Sequence, residues 1–342
     1  MDRFLQGVWY ERKSQWFSLL VWPLSLLFAI VVAFRRAAYR KGWFQSYRVP
    51  RPVIVVGNIT VGGTGKTPMT IWIAEQLHAR GLRVGIVLRG YGGKSTQWPR
   101  DVTKETSTQE VGDEAVLLAQ RTGALVVAGP DRVAAARRVI ERGAEIVLCD
   151  DGLQHYRLAR DAEIAVVDER RGLGNGRMLP AGPLREPGSR LNSVDVKVKT
   201  RRSVASMTLK SASGPTVVAT PTLREAISVA TGERRPLQRF SGMRVHAVAG
   251  IGNPQAFFDA LAAEGVKVDP HPLPDHARLS VSHLAFPDGA PVLMTEKDAV
   301  KCSVGASGHP NELWAVRMDV ALSAADTQIM QQLLDRVLVP VR

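Results

Sequence analysis

Cysteine is nearly missing from this sequence. Among 342 residues only Cys149 and Cys302 carry a thiol. Two thiols so far apart exclude a disulfide framework and a cysteine-built zinc site, and they suit a reducing compartment. Cys149 stands in an apolar run and reads as a small buried hydrophobe. Acids are scarce as well. The 32 Asp and Glu are outnumbered by 45 Lys and Arg, a net charge of +13 that calls for an anionic partner or surface. Zinc-finger, helix-turn-helix and aromatic RNA-binding patterns are absent, so the charge does not by itself point to nucleic acid. Internal repeats and low-complexity tracts are absent too. What remains is a globular chain long enough for two cores.

The clearest feature present is Val53-Ile-Val-Val-Gly-Asn-Ile-Thr-Val-Gly-Gly-Thr-Gly-Lys-Thr-Pro68. A β-branched apolar run predicts a buried strand. A turn rich in glycine follows, and then an apolar-periodic segment, Met69 to Leu77, predicts a helix. Strand, glycine loop and helix are the context of a phosphate-binding loop. Glycines let several backbone N–H groups converge on one anion, and the helix start adds unpaired donors and a positive dipole end. The candidate contacts are Thr60, Val61, Gly62, Gly63, Thr64, Gly65, Lys66 and Thr67. Lys66 would bridge the β- and γ-phosphates and Thr67 would ligate Mg²⁺. Pro68 falls where a helix tolerates it. Thr60 stands where the usual pattern has glycine, so the loop is a variant. An ordinary glycine-rich βα turn would look similar in isolation.

Trp16 to Phe34 is a run of 19 residues without a charge. As one helix it would be about 28 Å long, against a hydrocarbon core of about 30 Å. Arg12 and Lys13 precede it. Arg35, Arg36, Arg40, Lys41, Arg48 and Arg51 follow it without an intervening acid, interleaved with Tyr39, Trp43, Phe44 and Tyr47. Such a collar suits the headgroup layer of an anionic membrane. A signal peptide would need a small-x-small cleavage site, which does not follow. Pro23 and the serines also fit a buried core helix. The reading taken here is a membrane anchor, spanning or interfacial, with the bulk of the chain on the cytoplasmic side.

Beyond the phosphate loop, strands are expected at Arg83–Leu88, Ala124–Ala128, Ala144–Cys149 and Ile164–Val167. Helices are expected at Gly112–Arg121 and, capped by Asp131, at Asp131–Glu141. That alternation implies a parallel sheet covered on both faces. Gly172–Gly188, rich in Gly, Pro and Arg, reads as a long loop or linker. A second α/β stretch follows, with strands at Val245–Ala249, Val292–Met294 and Leu313–Val316 and helices at Pro254–Glu264 and Ala325–Val337. Thr200–Arg239 reads as irregular. The expected division is 1–50 for anchor and collar, 51–200 for the core with the phosphate loop, and 201–342 for a smaller second domain.

A phosphate loop needs an acid for its metal. Glu145 to Gly152 is an apolar strand ending in Asp150-Asp151, the arrangement that places carboxylates at the carboxyl edge of the sheet beside the loop. Asp-Asp-Gly is also good turn chemistry. With the loop upstream, Asp150 and Asp151 are read as Mg²⁺ ligands, direct or through water. Arg177, Arg185 and Glu186, in the glycine-proline segment, are candidate contacts to a phosphorylated substrate. A solvated basic loop is the alternative.

At this point the chain resembles a known family. The segments GNITVGGTGKTP, RGYGG, GDEA, DDGLQH, LGNGRMLPAGPLREP and TEKDAVK, spread from Gly57 to Lys301, are similar to those of the tetraacyldisaccharide 4′-kinases of bacterial lipid A synthesis. The resemblance implies ATP and Mg²⁺, and transfer of the γ-phosphoryl group to the 4′-hydroxyl of an acylated glucosamine disaccharide 1-phosphate at the inner membrane. It implies two α/β/α domains joined by a hinge. It also implies that Asp113 acts as base toward the sugar hydroxyl, with His276 working beside it. His155, His246 and His271 read as structural, and the segment Thr295–Asp298 has no assignable role. A membrane-recruited regulatory ATPase is the second reading. Those enzymes often carry a lysine before the two glycines, where this chain has Val61. A nucleic-acid binder would carry its charge on the folded domains and not in a block beside an apolar helix.

Overall fold

Apolar runs too short for helices become the strands of a single sheet, and the periodic segments between them become its covering helices. The computed structural model describes residues 3–11, 13–201, 214–274, 277, 279, 281–302 and 309–339. Arg12, Asp275 and His276 lie outside the described residues. The chain opens with helices α1 (Arg3–Tyr10), α2 (Gln15–Leu20) and α3 (Trp22–Arg40). Next come β1 (Val53–Gly57), α4 (Lys66–His78), β2 (Val84–Leu88), β3 (Arg100–Val102), α5 (Thr108–Val111), α6 (Asp113–Thr122), β4 (Leu125–Ala128), α7 (Arg132–Glu141), β5 (Ile146–Asp150) and β6 (Ala162–Asp168). They are followed by β7 (Val196–Thr200), β8 (Thr216–Ser228), β9 (Arg234–Pro236), β10 (Arg244–Ala249), α8 (Pro254–Ala263), β11 (Lys267–Pro272), β12 (Val292–Thr295), α9 (Glu296–Ala299), β13 (Leu313–Leu322) and α10 (Ala324–Leu338).

The strand order is β11-β10-β12-β13-β8-β7-β6-β1-β5-β2-β4-β3, with β9 paired to β8. Pairing is parallel from β8 to β4 and again from β11 to β13. The two parallel runs meet where β13 pairs antiparallel with β8. Strand β1 alternates between two cores. Ile54 and Val56 pack with Met69, Leu77 and Leu118 of α4 and α6, and Val53 and Val55 pack with Val133 and Val139 of α7. A parallel strand buried on both faces explains the unbroken apolar run in the sequence. Met330 and Leu334 of α10 belong to the same cluster as Ile54. The outer strands carry their own clusters, Phe240, Phe257, Leu261 and Trp314 on one side and Val248, Leu284 and Met294 on the other.

Two expectations need correction. Most of the described part of Thr200–Arg239 is not irregular, because it contains the 13-residue strand β8. Its run carries Pro221, which argues against a central strand in sequence, yet Pro221 pairs with Val320 of β13. The second correction concerns the apolar run. It is not one helix from Trp16 to Phe34. It breaks at Val21, with Pro23 in the first turn of α3, and α3 then continues past Phe34 to Arg40.

Candidate functional site

Strands β1 and β5 are parallel neighbours with Val56 opposite Asp150, so the glycine loop and the tandem aspartates leave the same sheet edge side by side. The loop is held from within by Asn58, whose buried side-chain amide donates to the Gly62 carbonyl at 3.3 Å and to Thr64 Oγ1 at 3.2 Å. It is held from outside by the glycine-proline segment. The Val61 N–H donates to the Pro183 carbonyl at 2.9 Å, and Thr60 bridges Leu184. Thr60 does not adopt a positive φ, so a non-glycine residue is accommodated at position 60. Gly65, the residue before α4, has φ +86°, and an added Cβ would come within 3.0 Å of Thr200 Cγ2. Position 65 therefore suits glycine on both backbone and steric grounds.

Lys66 Nζ lies 3.6 Å from Asp151 Oδ1. Arg185 grips the same carboxylate with both terminal nitrogens, at 2.8 and 3.1 Å, and also donates to the Asn58 side chain. Burial opposes ionisation of Asp151, but Lys66 and Arg185 outweigh it and hold the carboxyl well below the usual range. Asp151 also adopts φ 48°, an uncommon conformation for a non-glycine residue and one that recurs at functional sites. Asp150 is the opposite case. Burial and the nearby Glu114 carboxylate push its pKa up to about 7, although Lys66 counters and Thr70 Oγ1 donates to it at 2.9 Å. Two adjacent acids thus hold different charge states through their surroundings alone.

Asp113 opens α6 and is buried. Gly112 before it has φ +86°, and a Cβ there would strike the Tyr91 carbonyl oxygen at 2.2 Å. The RGYGG turn and the GDEA segment are therefore packed backbone to backbone. The Asp113 carboxylate accepts the Glu114 N–H at 2.9 Å, and Lys301 Nζ stands 3.7 Å from its other oxygen. Lys301 also donates to Asp298 at 3.0 Å, and Lys297 donates to Glu114 at 3.3 Å. Asp298 is itself fixed by Thr295 Oγ1 at 2.6 Å and by the Gly250 N–H at 2.8 Å. The far end of α6 is tied as well, where Arg121 forks onto Glu296 and Asp319. Sequence reading found no role for Thr295–Asp298. The structure makes it the segment that brings two lysines to the start of α6. Positions nearly two hundred residues apart carry no pairwise signal that a single sequence could reveal.

The remaining candidates lie around the N-terminal helices. Arg177 Nη1 donates to Ser18 Oγ at 3.1 Å, Ser18 to the Ala181 carbonyl at 2.6 Å, and Ser25 to the Met178 carbonyl at 2.5 Å. Trp9 Nε1 donates to the Pro180 carbonyl at 3.1 Å. The glycine-proline segment is thus a bracket between these helices and the phosphate loop, and not a linker. Glu186, the third candidate of this segment, lies inside the bracket. It is 1 % exposed, it accepts from Tyr156 and Gln154, and it faces Arg36 and Arg190 at 3.8 and 3.7 Å.

The sequence model of a family described as tetraacyldisaccharide-1-P 4′-kinase (LpxK) matches residues 17–338. The chain belongs to this family. A protein named tetraacyldisaccharide 4′-kinase from Alkalilimnicola ehrlichii is 46 % identical over 335 residues, spanning 97 % of each chain. One from Pseudomonas aeruginosa is 46 % identical over 323 residues, spanning 94 % of each. A crystal structure of LpxK from Aquifex aeolicus, described as an "apo" form in complex with ATP, superposes with a TM-score of 0.80 at 30 % identity. It covers 94 % of this chain and 99 % of that one. The fold is therefore the kinase family's α/β fold, with a large, mostly parallel sheet.

Within this kinase the raised Asp150 makes a pH prediction. Its folded value of about 7 lies above its ordinary 3.8, so protonation favours the folded state. That contribution is present at low pH and is lost as pH rises through about 7. Urea unfolding of the cation-free protein should show the wild type losing stability relative to Asp150→Asn between about pH 5 and about pH 8, by up to about 3 kcal/mol. A gap between the two proteins that does not change with pH would show that Asp150 titrates normally.

Proposed function

We propose that this chain transfers the γ-phosphoryl group of ATP to the 4′-hydroxyl of a tetraacylated glucosamine disaccharide 1-phosphate, forming lipid IVA at the cytoplasmic face of the bacterial inner membrane. Family membership supports the reaction. The single observation that carries the mechanism is the meeting of three segments at one sheet edge: the Gly62–Thr67 loop, the Asp150–Asp151 pair, and the Asp113 carboxylate with its lysine neighbours.

In this reading the backbone amides of residues 60–65 cradle the phosphates, and Lys66 leaves Asp151 to meet the β- and γ-oxygens. Arg185 keeps Asp151 in place when Lys66 moves. Thr67 and Asp150 would hold Mg²⁺, and Asp151 would act from behind them. The donor set fits that ion. These are hard oxygen ligands, and a buried carboxyl crowded by Glu114 and Asp151 gains from a nearby cation. Mg²⁺ supplies charge neutralisation for the phosphates when bound.

Asp113 takes the proton of the 4′-hydroxyl, with Lys301 favouring its ionised, acceptor form. His276, through the family resemblance, orients or relays that acid. The second domain, 201–342, closes over the first and excludes water that would otherwise hydrolyse ATP. Lys297 and Lys301 arrive from that side. Arg177 and Arg185 are the cations closest in sequence to the bracket where an anionic lipid sugar would arrive.

The membrane contact is assigned to α2 and α3. Leu24, Leu27, Ile30, Val31 and Phe34 are each more than half exposed. Ser25 near the start of α3 and Ala38 near its end are buried, so the helix lies along the protein over its length. A helix held in that way, with its apolar side open and Arg35 and Arg40 at its end, suits insertion into the interface better than a span.

Three outcomes test these roles. Lys66→Ala should lower kcat at least about 10²-fold in an ATP-dependent phosphorylation assay on the acylated disaccharide 1-phosphate; near-normal turnover refutes the loop assignment. Asp113→Ala should lower kcat by about 10²- to 10⁴-fold while ATP affinity stays near the wild-type value; unchanged turnover removes it as base. Leu27→Glu with Ile30→Glu should abolish sedimentation with anionic vesicles while activity on detergent-dispersed substrate persists. Undiminished sedimentation places the membrane contact elsewhere.

A further inference from the structure

The edge of the sheet farthest from β3 carries a cluster that phosphoryl transfer does not use. His246 of β10 pairs in register with Asp269 of β11, and Val248 pairs with His271, so His246, Asp269 and His271 share one face of the edge pair. One ligand atom from each lies within 4.8 Å of those of the other two. His246 Nδ1 is 3.0 Å from His271 Nε2 and 3.6 Å from Asp269 Oδ2. Ligand atoms about 2 Å from a tetrahedral zinc stand about 3.3 Å from one another. His246 is thus already near coordinating separation from both His271 and Asp269.

The far side of His246 is also prepared. Its Nε2 lies 2.9 Å from Asp288 Oδ1, and Asp288 is fixed by the Ala290 N–H at 3.1 Å. A proton on Nε2 directed at Asp288 leaves the Nδ1 lone pair facing His271, as carboxylate partners do for metal-bound histidines. Phe286 stacks on His246 at 3.7 Å and leans on His271 at 4.6 Å, which closes one wall with an apolar ring. Arg244 is the competing cation. It reaches Asp269 at 3.0 Å and Asp288 at 3.5 Å, but it is 65 % exposed and free to withdraw into water. His246 itself is buried.

We propose that His246, His271 and Asp269 bind a divalent transition metal of the zinc class, with Asp288 orienting His246. Two imidazoles and one carboxylate select such an ion over Mg²⁺, which prefers oxygen. A fourth position remains for water. The metal clamps edge strand β11 to β10. The proposal does not depend on the kinase mechanism.

The test uses the full-length, tag-free protein in detergent, without nucleotide because ATP chelates metals. Calorimetric titration with Zn²⁺ in excess Mg²⁺ should show one site per chain, and Co²⁺ should give the intense visible bands of a low-coordinate nitrogen-containing site. His271→Gln and Asp269→Asn lie on the part-exposed edge strand and should keep the wild-type circular dichroism. At least one should abolish the site, and Asp288→Asn should weaken it about 10- to 100-fold. Zn²⁺ should raise the thermal midpoint of the wild type but not of His271→Gln. Absence of a site in the wild type overturns the proposal, as does a site that survives both ligand variants. A Co²⁺ complex without paramagnetically shifted imidazole resonances in the wild type overturns it independently of how the variants fold.

Discussion

The pairing of β1 with β5 is the constraint on which the rest of the site depends. Because Val56 lies opposite Asp150, the loop that leaves β1 and the acids that leave β5 emerge together. Lys66, Asp151 and Arg185 then form a charge triad in which one carboxylate sits between two cations. Where burial and a neighbouring carboxylate outweigh the cation, the pKa rises instead, as it does at Asp150 next to it. The Asp151 carboxylate is thus met by a cation on each side, Lys66 at 3.6 Å and Arg185 at 2.8 Å.

The glycine-proline segment couples this centre to the N-terminal helices. Carbonyls along one stretch of chain accept hydrogen bonds from Trp9, Ser18 and Ser25 and, at the glycine loop, from the Val61 N–H, and the same stretch supplies Arg185 to Asp151. Glu186 completes the join by facing Arg36 of α3 while bound to Tyr156. The surface proposed to meet lipid and the loop proposed to meet ATP therefore share a rigid mount.

The outer strands reach the site through the short helix α9. Thr295 caps it, Asp298 is locked against Gly250, and the two lysines cross to Asp113 and Glu114. Arg121 binds the other end of the same helix, α6, to Glu296 and Asp319. Helix α6 is thus held at both ends by the half of the chain that carries β10 to β13, so displacement of that half would be felt at Asp113 directly.

The sequence by itself was enough for the strand, glycine turn and helix around Gly62–Gly65, the strand that ends in Asp150, and the Asp131 cap, because each depends on residues a few positions apart: periodicity, glycine at a turn, an acid at a strand end. It was also enough for the family, through ordered segments such as DDGLQH and TEKDAVK. It misled where local chemistry was overridden. Pro221 hid strand β8, whose partner β13 lies about a hundred positions away, and an uncharged run concealed the break at Val21. Only the tertiary structure decided that Glu186 is a buried anchor, that Lys301 stands beside Asp113, and that His246 and His271 face each other. Those outcomes depend on which strands become neighbours. Neighbours across a sheet are set by the burial of whole faces, a sum over many residues that no short window contains.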